Sequence, residues 1–163
     1  MCGIVGIYLK TKKLEKNLGK LLSGMLNNME SRGPDSAGFA IYKDEGKKVY
    51  KFSLCINDLN FNNFKKEISK KIKKAKFIQI SDHVILKTFE KPNKVIEIIN
   101  STFPKVSIVG YGRSIEIFKQ VGNPKDVVKK FKLDNFSGTH GIGHTRMATE
   151  SAITTDGSHP YST

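Results

Sequence analysis

The 163-residue sequence contains no tryptophan and only two cysteines, Cys2 and Cys55. It has no apolar run near the roughly 20 residues that span a bilayer, and its start lacks the features of a signal peptide. Neither cysteine has a CxxC partner or a histidine cluster at metal-ligand spacing, so neither a disulfide framework nor a zinc site is indicated. With 38% hydrophobic residues, the sequence has enough apolar material for one domain with a core, which we expect to be cytoplasmic.

Arginine is also scarce, although the net charge is +13. Residues 43–136 carry 21 of the 28 cationic side chains, mostly lysines on the polar faces of helix-like stretches, without interleaved aromatics for base stacking. We interpret this charge as a solvated surface, with nucleic-acid binding as the weaker alternative. The three arginines are Arg32, Arg113 and Arg146. An arginine fork grips a carboxylate with two parallel hydrogen bonds, which lysine cannot do, so each arginine is of individual interest.

Apolar periodicity predicts the main elements of the first part of the chain. We expect a buried strand at residues 2–8, an amphipathic helix at 14–30 and a loop at 31–38. Two strands at 38–43 and 47–54 are expected to form a hairpin.

The middle of the chain has its own alternating pattern. It predicts a basic helix, then a strand at 77–80 or 83–87, then a second helix at 92–103. Two strands at 105–110 and 114–121 are expected to be joined by a hairpin turn at 110–114. A further helix is expected to begin after Asn123, which caps it. A glycine-rich strand follows at residues 138–146.

If Met1 is removed, Cys2 can act as a nucleophile that carries its own base. Thiol and α-amine then belong to one residue, and an α-amine with a pKa of about 8 can accept the thiol proton without a histidine. The alternative is that Cys2 is only a small buried hydrophobe.

Three ordered sequence blocks favour the chemical interpretation. They are Met-Cys-Gly-Ile-Val-Gly at residues 1–6, Ser-Arg-Gly-Pro-Asp-Ser-Ala-Gly at 31–38 and Gly-His-Thr-Arg-Met-Ala-Thr at 143–149, followed by His159-Pro160. These blocks resemble the signatures of class II (N-terminal nucleophile) glutamine amidotransferases, and the details are most similar to the amidotransferase subunit or domain of glutamate synthase-like proteins.

The resemblance implies a fold of the α/β (α+β) class, a four-layer α/β/β/α sandwich of the N-terminal-nucleophile hydrolase type with an inserted α/β subdomain at about residues 55–136. It implies that Cys2 attacks the side-chain amide of glutamine and forms a thioester. The products would be glutamate and ammonia, with the ammonia passing to a synthase partner, and no cofactor would be required.

The resemblance also implies roles for individual residues. Arg146 would hold the α-carboxylate of glutamine, Thr149 would shape the same pocket, Arg32 would support the site, and His159 would lie near the pocket. Asp35 and Ser36 would fix their loop by local side-chain hydrogen bonds. His140 and His144 are interpreted as strand residues, not catalysts.

The sequence departs from the family pattern in two ways. Met147 and Glu150 stand where family members often carry Trp and His. The family's Asn-Gly pair, which donates to the oxyanion, and a later Asp that binds the substrate amino group should follow the His-Pro segment, but the chain contains no Asn-Gly dipeptide. We therefore expect a partial domain, truncated at its C-terminus, or alternatively a non-catalytic module that binds a partner or senses glutamine.

Overall fold

A computed structural model describes residues 2–46, 48–147 and 158–160 of the chain. Among them, the strands are β1 Gly3–Tyr8, β2 Ser36–Tyr42, β3 Tyr50–Cys55, β4 Lys76–Ile80, β5 His83–Thr88, β6 Ser107–Gly112, β7 Ile115–Val121 and β8 His140–Arg146. The α-helices are α1 Leu18–Asn27, α2 Phe61–Lys71, α3 Pro92–Thr102 and α4 Pro124–Phe131. The fold is mixed α/β.

The chain divides into two compact units. Unit 1 contains the described residues of Met1–Lys43 and Ile117–Tyr161, and unit 2 contains those of Asp44–Glu116. Unit 1 contains a four-stranded sheet with the order β1-β8-β2-β7, and unit 2 contains one with the order β4-β5-β3-β6. The predicted bounds of the inserted subdomain, about 55–136, remain a prediction.

In unit 1, the last described strand lies between the first two. β8 pairs antiparallel with both β1 and β2, with Gly3 opposite Thr145 and Ser36 opposite Arg146. Helix α1 covers one face, because a side chain at Gly143 would meet Leu26 of that helix. The described parts of the three sequence blocks therefore meet in one sheet, although the blocks are far apart along the chain.

The predicted helix at 14–30 is shorter in the structure. Residues Lys12–Asn17 form a 3-10 helix that buries none of its residues, and the α-helix proper ends at Asn27. At the other end of unit 1, the prediction for α4 is confirmed: the Asn123 side chain accepts a hydrogen bond from the backbone N–H of Asp126 at 3.0 Å.

The sheet of unit 2 is covered by apolar side chains from its two long helices. The predicted basic helix is confirmed as α2, whose buried residues are Phe64 and Ile68, and α3 buries Val95 and Ile99. The two alternative strand positions are both occupied, because β4 and β5 form an antiparallel pair.

Both predicted hairpins are wrong. Strands β2 and β3 belong to different sheets, as do β6 and β7. Turn residues report only the local chain direction, whereas β2 is buried along nearly its whole length and needs a strand on each side. No helix of the described residues is long and apolar enough to cross a membrane.

Candidate active site

Cys2 immediately precedes the first strand of unit 1 and is exposed. Gly3 is paired with Thr145 in the antiparallel register, so Cys2 and Arg146 are the next residues at the same end of the two strands. The pairing of β1 with β8 thus brings the candidate nucleophile and the candidate carboxylate ligand to one sheet end.

Strand alternation separates two sets of side chains along β8. Thr145 is fully buried, and a side chain at Gly143 would point at helix α1. His144 and Arg146 alternate with these residues and therefore lie on the opposite face. Ile4, which pairs with His144, is 70% exposed on that face. Cys2 precedes Ile4 by two residues, so strand alternation assigns both side chains to the same face.

The backbone of Arg146 is held by the second sequence block. The Asp35 N–H donates to the Arg146 carbonyl oxygen at 3.1 Å, and Pro34 forms a parallel bridge with Arg146. A Cβ at Gly33 would lie 2.6 Å from the Arg146 nitrogen, a distance that real Cβ atoms do not adopt. Glycine is therefore required for this close approach, which positions the arginine at the sheet end.

Arg32 lies on the other side of the first strand from Ile4. A Cβ at Gly3 would lie 3.2 Å from the Arg32 Cβ and 3.0 Å from Thr145 Oγ1, and Gly3 itself is buried. Arg32 therefore borders the backbone next to Cys2, on the face opposite to the Ile4 side chain, and its supporting role remains a prediction.

The His159 ring lies next to the ring of His144, a residue of the third sequence block, in a tilted arrangement. Their ring centroids are 4.3 Å apart with an interplanar angle of 42°. The His159 backbone also lies against β2, because a side chain at Gly38 would meet the His159 carbonyl oxygen. His144 and His140 both lie on β8, which confirms their interpretation as strand residues.

The electrostatic environment of the two histidines is positive. Burial lowers the pKa of His144 to about 4, with the charges of His159 and Arg146 as further causes. Burial also lowers the pKa of His159, and Arg146 and Lys119 contribute in the same direction. Both rings are therefore neutral at pH 7, and the fixed positive charges of Arg146 and Lys119 remain around them. Such a site favours an anionic group.

The structure thus brings Cys2, Arg32 and Arg146 to one sheet end and sets His159 beside His144. Thr149 lies outside the described residues. Sequence reasoning missed Lys119, which is only 3% exposed, because a buried lysine cannot be distinguished by sequence from the many solvated ones.

The predicted role of Ser36 in fixing its loop through a side-chain hydrogen bond is wrong. Its Oγ is buried and has no hydrogen-bond partner among the described residues, and its loop is instead joined to Arg146 through the backbone of Asp35. A separate group of side chains able to ligate a metal lies in unit 2 and consists of Cys55, Asp82 and His83.

No family model matches this chain. The chain is 45% identical over 166 residues to the glutamine amidotransferase-like protein GlxB of Rhizobium meliloti (strain 1021), a match that covers 100% of the chain and 55% of that protein. It is 32% identical over 174 residues to a putative glutamine amidotransferase of Methanothermobacter thermautotrophicus, covering 99% of the chain and 56% of that relative.

A shorter stretch of 52 residues, 32% of the chain, is 38% identical to a glutamine–fructose-6-phosphate aminotransferase (isomerizing) of Bradyrhizobium diazoefficiens, of which it covers 9%. The chain spans about half the length of the two relatives that it matches along its whole length. The two relatives that match along the whole chain are named as a glutamine amidotransferase-like protein and a putative glutamine amidotransferase.

Proposed function

We propose that this chain carries the glutaminase half of a class II glutamine amidotransferase, with Cys2 as the nucleophile after removal of Met1. The Cys2 sulfur attacks the side-chain carbonyl carbon of glutamine while the α-amine takes the thiol proton. The amine returns this proton to the leaving nitrogen, ammonia departs, and a γ-glutamyl thioester remains. Water then hydrolyses the thioester, which releases glutamate and restores the thiol.

The observation that carries this proposal is the convergence of Cys2 and Arg146 at one end of the β1–β8 pair. An electrophilic carbon must reach the sulfur while the rest of the substrate is held in place, and the extended glutamine molecule has a carboxylate at the opposite end from its amide. The Arg146 guanidinium offers that carboxylate a bidentate partner. Burial is the main cause of the lowered pKa values of His144 and His159, and the positive charge of Arg146 adds to both. That charge would favour an anion at the same place.

The finer architecture belongs to the same proposal. In a four-layer sandwich, a second sheet covers the face of the first sheet that α1 leaves open. Apolar side chains are exposed on that face, namely Ile4, Tyr8 and Ile142, at 70%, 71% and 37% exposure. A row of this kind on one sheet face supports burial by a further layer. Thr149 and His159 complete the proposed pocket, and Arg32 supports it.

The destination of the ammonia is proposed from resemblance. We propose a synthase domain or subunit of the glutamate synthase-like type as the acceptor, since free ammonia is useful only where a second active site consumes it. A non-catalytic module that senses glutamine is the competing function.

The two functions are separated by a glutamine-mimicking electrophile, 6-diazo-5-oxo-norleucine. The purified chain is incubated with this reagent, and intact and peptide masses are measured. We expect removal of Met1 and one adduct on Cys2, blocked by excess glutamine and absent from Cys2→Ala. Cys55→Ala is the matched control, because Cys55 is the buried thiol of unit 2, and this variant should still form the adduct.

Ammonia release from glutamine is measured on the same samples. A processed chain that binds glutamine but forms neither adduct nor ammonia would support the sensing module instead. A processed chain that neither binds nor reacts would refute both functions for this polypeptide.

A further inference from the structure

Cys55 and His83 face each other in the sheet of unit 2. Cys55 is the last residue of β3 and His83 is the first of β5, and the antiparallel register makes them Cα partners. Their exposures are 2% and 1%. Asp82 directly precedes His83, and its carbonyl oxygen accepts a hydrogen bond from the Ile56 N–H at 2.9 Å. The ends of the two strands are therefore tied together by backbone hydrogen bonds.

Three side chains of different chemistry meet at this strand end and form what we call the Cys55 cluster: Cys55, Asp82 and His83. One sulfur, one carboxylate oxygen and one ring nitrogen from these residues all lie within 4.8 Å of one another. The His83 Nδ1 lies 3.0 Å from Asp82 Oδ1, which orients the imidazole ring.

The side-chain oxygen of Asn57 borders the cluster and is a fourth atom able to ligate a metal. The Cys55 thiol donates to Asn57 Oδ1 at 3.2 Å. Asn57 adopts a left-handed backbone conformation with a φ of 48°, which turns the chain directly after the strand. A buried cysteine that only fills space needs no polar neighbours, so the three polar side chains around Cys55 require a chemical explanation.

We propose that the Cys55 cluster is a binding site for a thiophilic divalent cation of the Zn²⁺ type. Thiolate, imidazole and carboxylate are the ligands that zinc prefers in proteins. In a tetrahedral zinc site, bond lengths of about 2.0–2.3 Å separate neighbouring ligand atoms by roughly 3.3–3.5 Å. Side-chain shifts of about 1 Å from the observed arrangement therefore close the site around an ion. Asn57 Oδ1 or a water molecule takes the fourth position.

The ion can reach the cluster from one side. The Asp82 side chain is 27% exposed and Asn57 is exposed, whereas Cys55 and His83 lie beneath them. On binding, the Cys55 thiol loses its proton to solvent and His83 coordinates as neutral imidazole, so the metal replaces one proton. The affinity must consequently rise with pH.

The proposal is tested on the full chain with Co²⁺ as a spectroscopic substitute for Zn²⁺. After treatment with a chelator, the protein is titrated with Co²⁺ under reducing conditions. A thiolate–cobalt charge-transfer absorption is expected in the wild type and in Cys2→Ala, with loss of the absorption on adding Zn²⁺. It should be absent from Cys55→Ala.

Because Cys55 is buried, its replacement can unfold unit 2, so a surface-side variant is needed as well. Asp82→Asn should weaken Zn²⁺ binding by roughly 10–100-fold, the loss typical of a ligand or its orienting carboxylate. Asp58→Asn is the matched control, since Asp58 is an exposed carboxylate of the adjacent turn and outside the cluster. It should leave the affinity unchanged while circular dichroism confirms that all variants are folded.

Three results would overturn the site: no charge-transfer absorption in the folded wild type, an absorption that survives in folded Cys55→Ala, or equal losses in the two aspartate variants. Binding at millimolar concentration alone would also overturn it. None of these measurements depends on glutamine, so failure of the metal site and failure of the proposed glutaminase function are distinguishable.

Discussion

The rings of His144 and His159 lie 4.3 Å apart between centroids, and burial lowers the pKa of both, with the charge of Arg146 as a further cause. Both shifts favour the neutral form of the ring. This pair therefore couples the folded state of unit 1 to pH and maintains a positive but proton-poor environment at the proposed carboxylate site.

Acidification should destabilise unit 1 through His144. Its pKa falls from the ordinary 6.5 to about 4 in the folded chain. Between these pH values the unfolded chain binds a proton that the folded chain does not, so the free energy of unfolding decreases as pH falls and is recovered at pH above 6.5. His144→Gln should show a smaller decrease in urea unfolding midpoint than the wild type between about pH 7.5 and about pH 4.5. Equal decreases would contradict this prediction.

Gly33→Ala should disrupt the sheet end. The new Cβ would lie within 2.7 Å of three backbone atoms of Thr145 and Arg146, and backbone cannot move aside as a side-chain tip can. We expect a loss of about 1–3 kcal/mol in the free energy of unfolding, measured by urea denaturation.

The control for that variant is Gly24→Ala. Gly24 lies in helix α1, and nothing lies within 4 Å of a Cβ placed there. Alanine should raise the stability by about 0.5–1 kcal/mol because it restricts the unfolded chain and favours the helix. Destabilisation by both substitutions to the same extent would show that close packing at Gly33 is not the cause.

Arg146→Lys should weaken glutamine binding without loss of charge. Lysine cannot reproduce two parallel hydrogen bonds to a carboxylate, so the dissociation constant for glutamine should rise by about 10–100-fold. Calorimetry measures this directly.

Arg113→Lys is the comparison for that variant. In unit 2, Arg113 donates to the Tyr50 hydroxyl at 3.2 Å and its guanidinium carbon lies 5.1 Å from the ring centroid, so its contacts are structural. Its replacement should leave glutamine affinity unchanged. An unaltered dissociation constant in Arg146→Lys would remove the assigned role of Arg146.

Lys51→Met should destabilise unit 2. The Lys51 side chain is fully buried and its Nζ lies 2.8 Å from Glu116 Oε1 and 3.4 Å from Glu45 Oε1. Removing one member of a buried ion pair costs about 3–5 kcal/mol, and a value near 3 is expected because Lys87 Nζ remains 3.7 Å from Glu116.

The matching surface variant is Lys94→Met. Lys94 pairs with Glu90 at 2.9 Å, but the two side chains are 53% and 33% exposed. The loss in the free energy of unfolding should stay below about 1 kcal/mol.

A double variant of Lys51→Met with Glu116→Gln tests the coupling of the buried pair in urea denaturation. Its loss in the free energy of unfolding should be smaller than the sum of the losses of the two single variants, since no buried charge is left alone. Strict additivity would argue against coupling.

The local elements were largely predictable because each depends on neighbours in sequence. Apolar stretches predicted β1 and β2, but the expectation that the first strand is buried was wrong, because β1 lies at the sheet edge with Ile4 and Tyr8 exposed. The Asn123-Pro124 pair predicted the start of α4. The strand partners were not predictable from turn residues. Arg113 and Ser114 resemble a hairpin turn, yet the strands on either side of them enter different sheets.

The candidate site was predictable as a set of residues but not as an arrangement. Cys2, Arg32 and Arg146 belong to recognisable sequence blocks, whereas the packing of Lys119 near the histidines comes from the burial of β7 beside β2. The Cys55 cluster has no signature at all, since cross-strand pairing joins Cys55 to His83.

The sequence by itself thus determined the chemical inventory of this protein: a cysteine at position 2, scarce arginines, and periodic apolar stretches that form strands and helices. Only the tertiary structure decided which of these groups meet, because sheet pairing depends on burying both faces of strands that are distant in the chain. Register then set His144 and Arg146 on one face and buried Thr145 on the other. A shift of one residue would have reversed both, since side chains alternate between the faces of a strand.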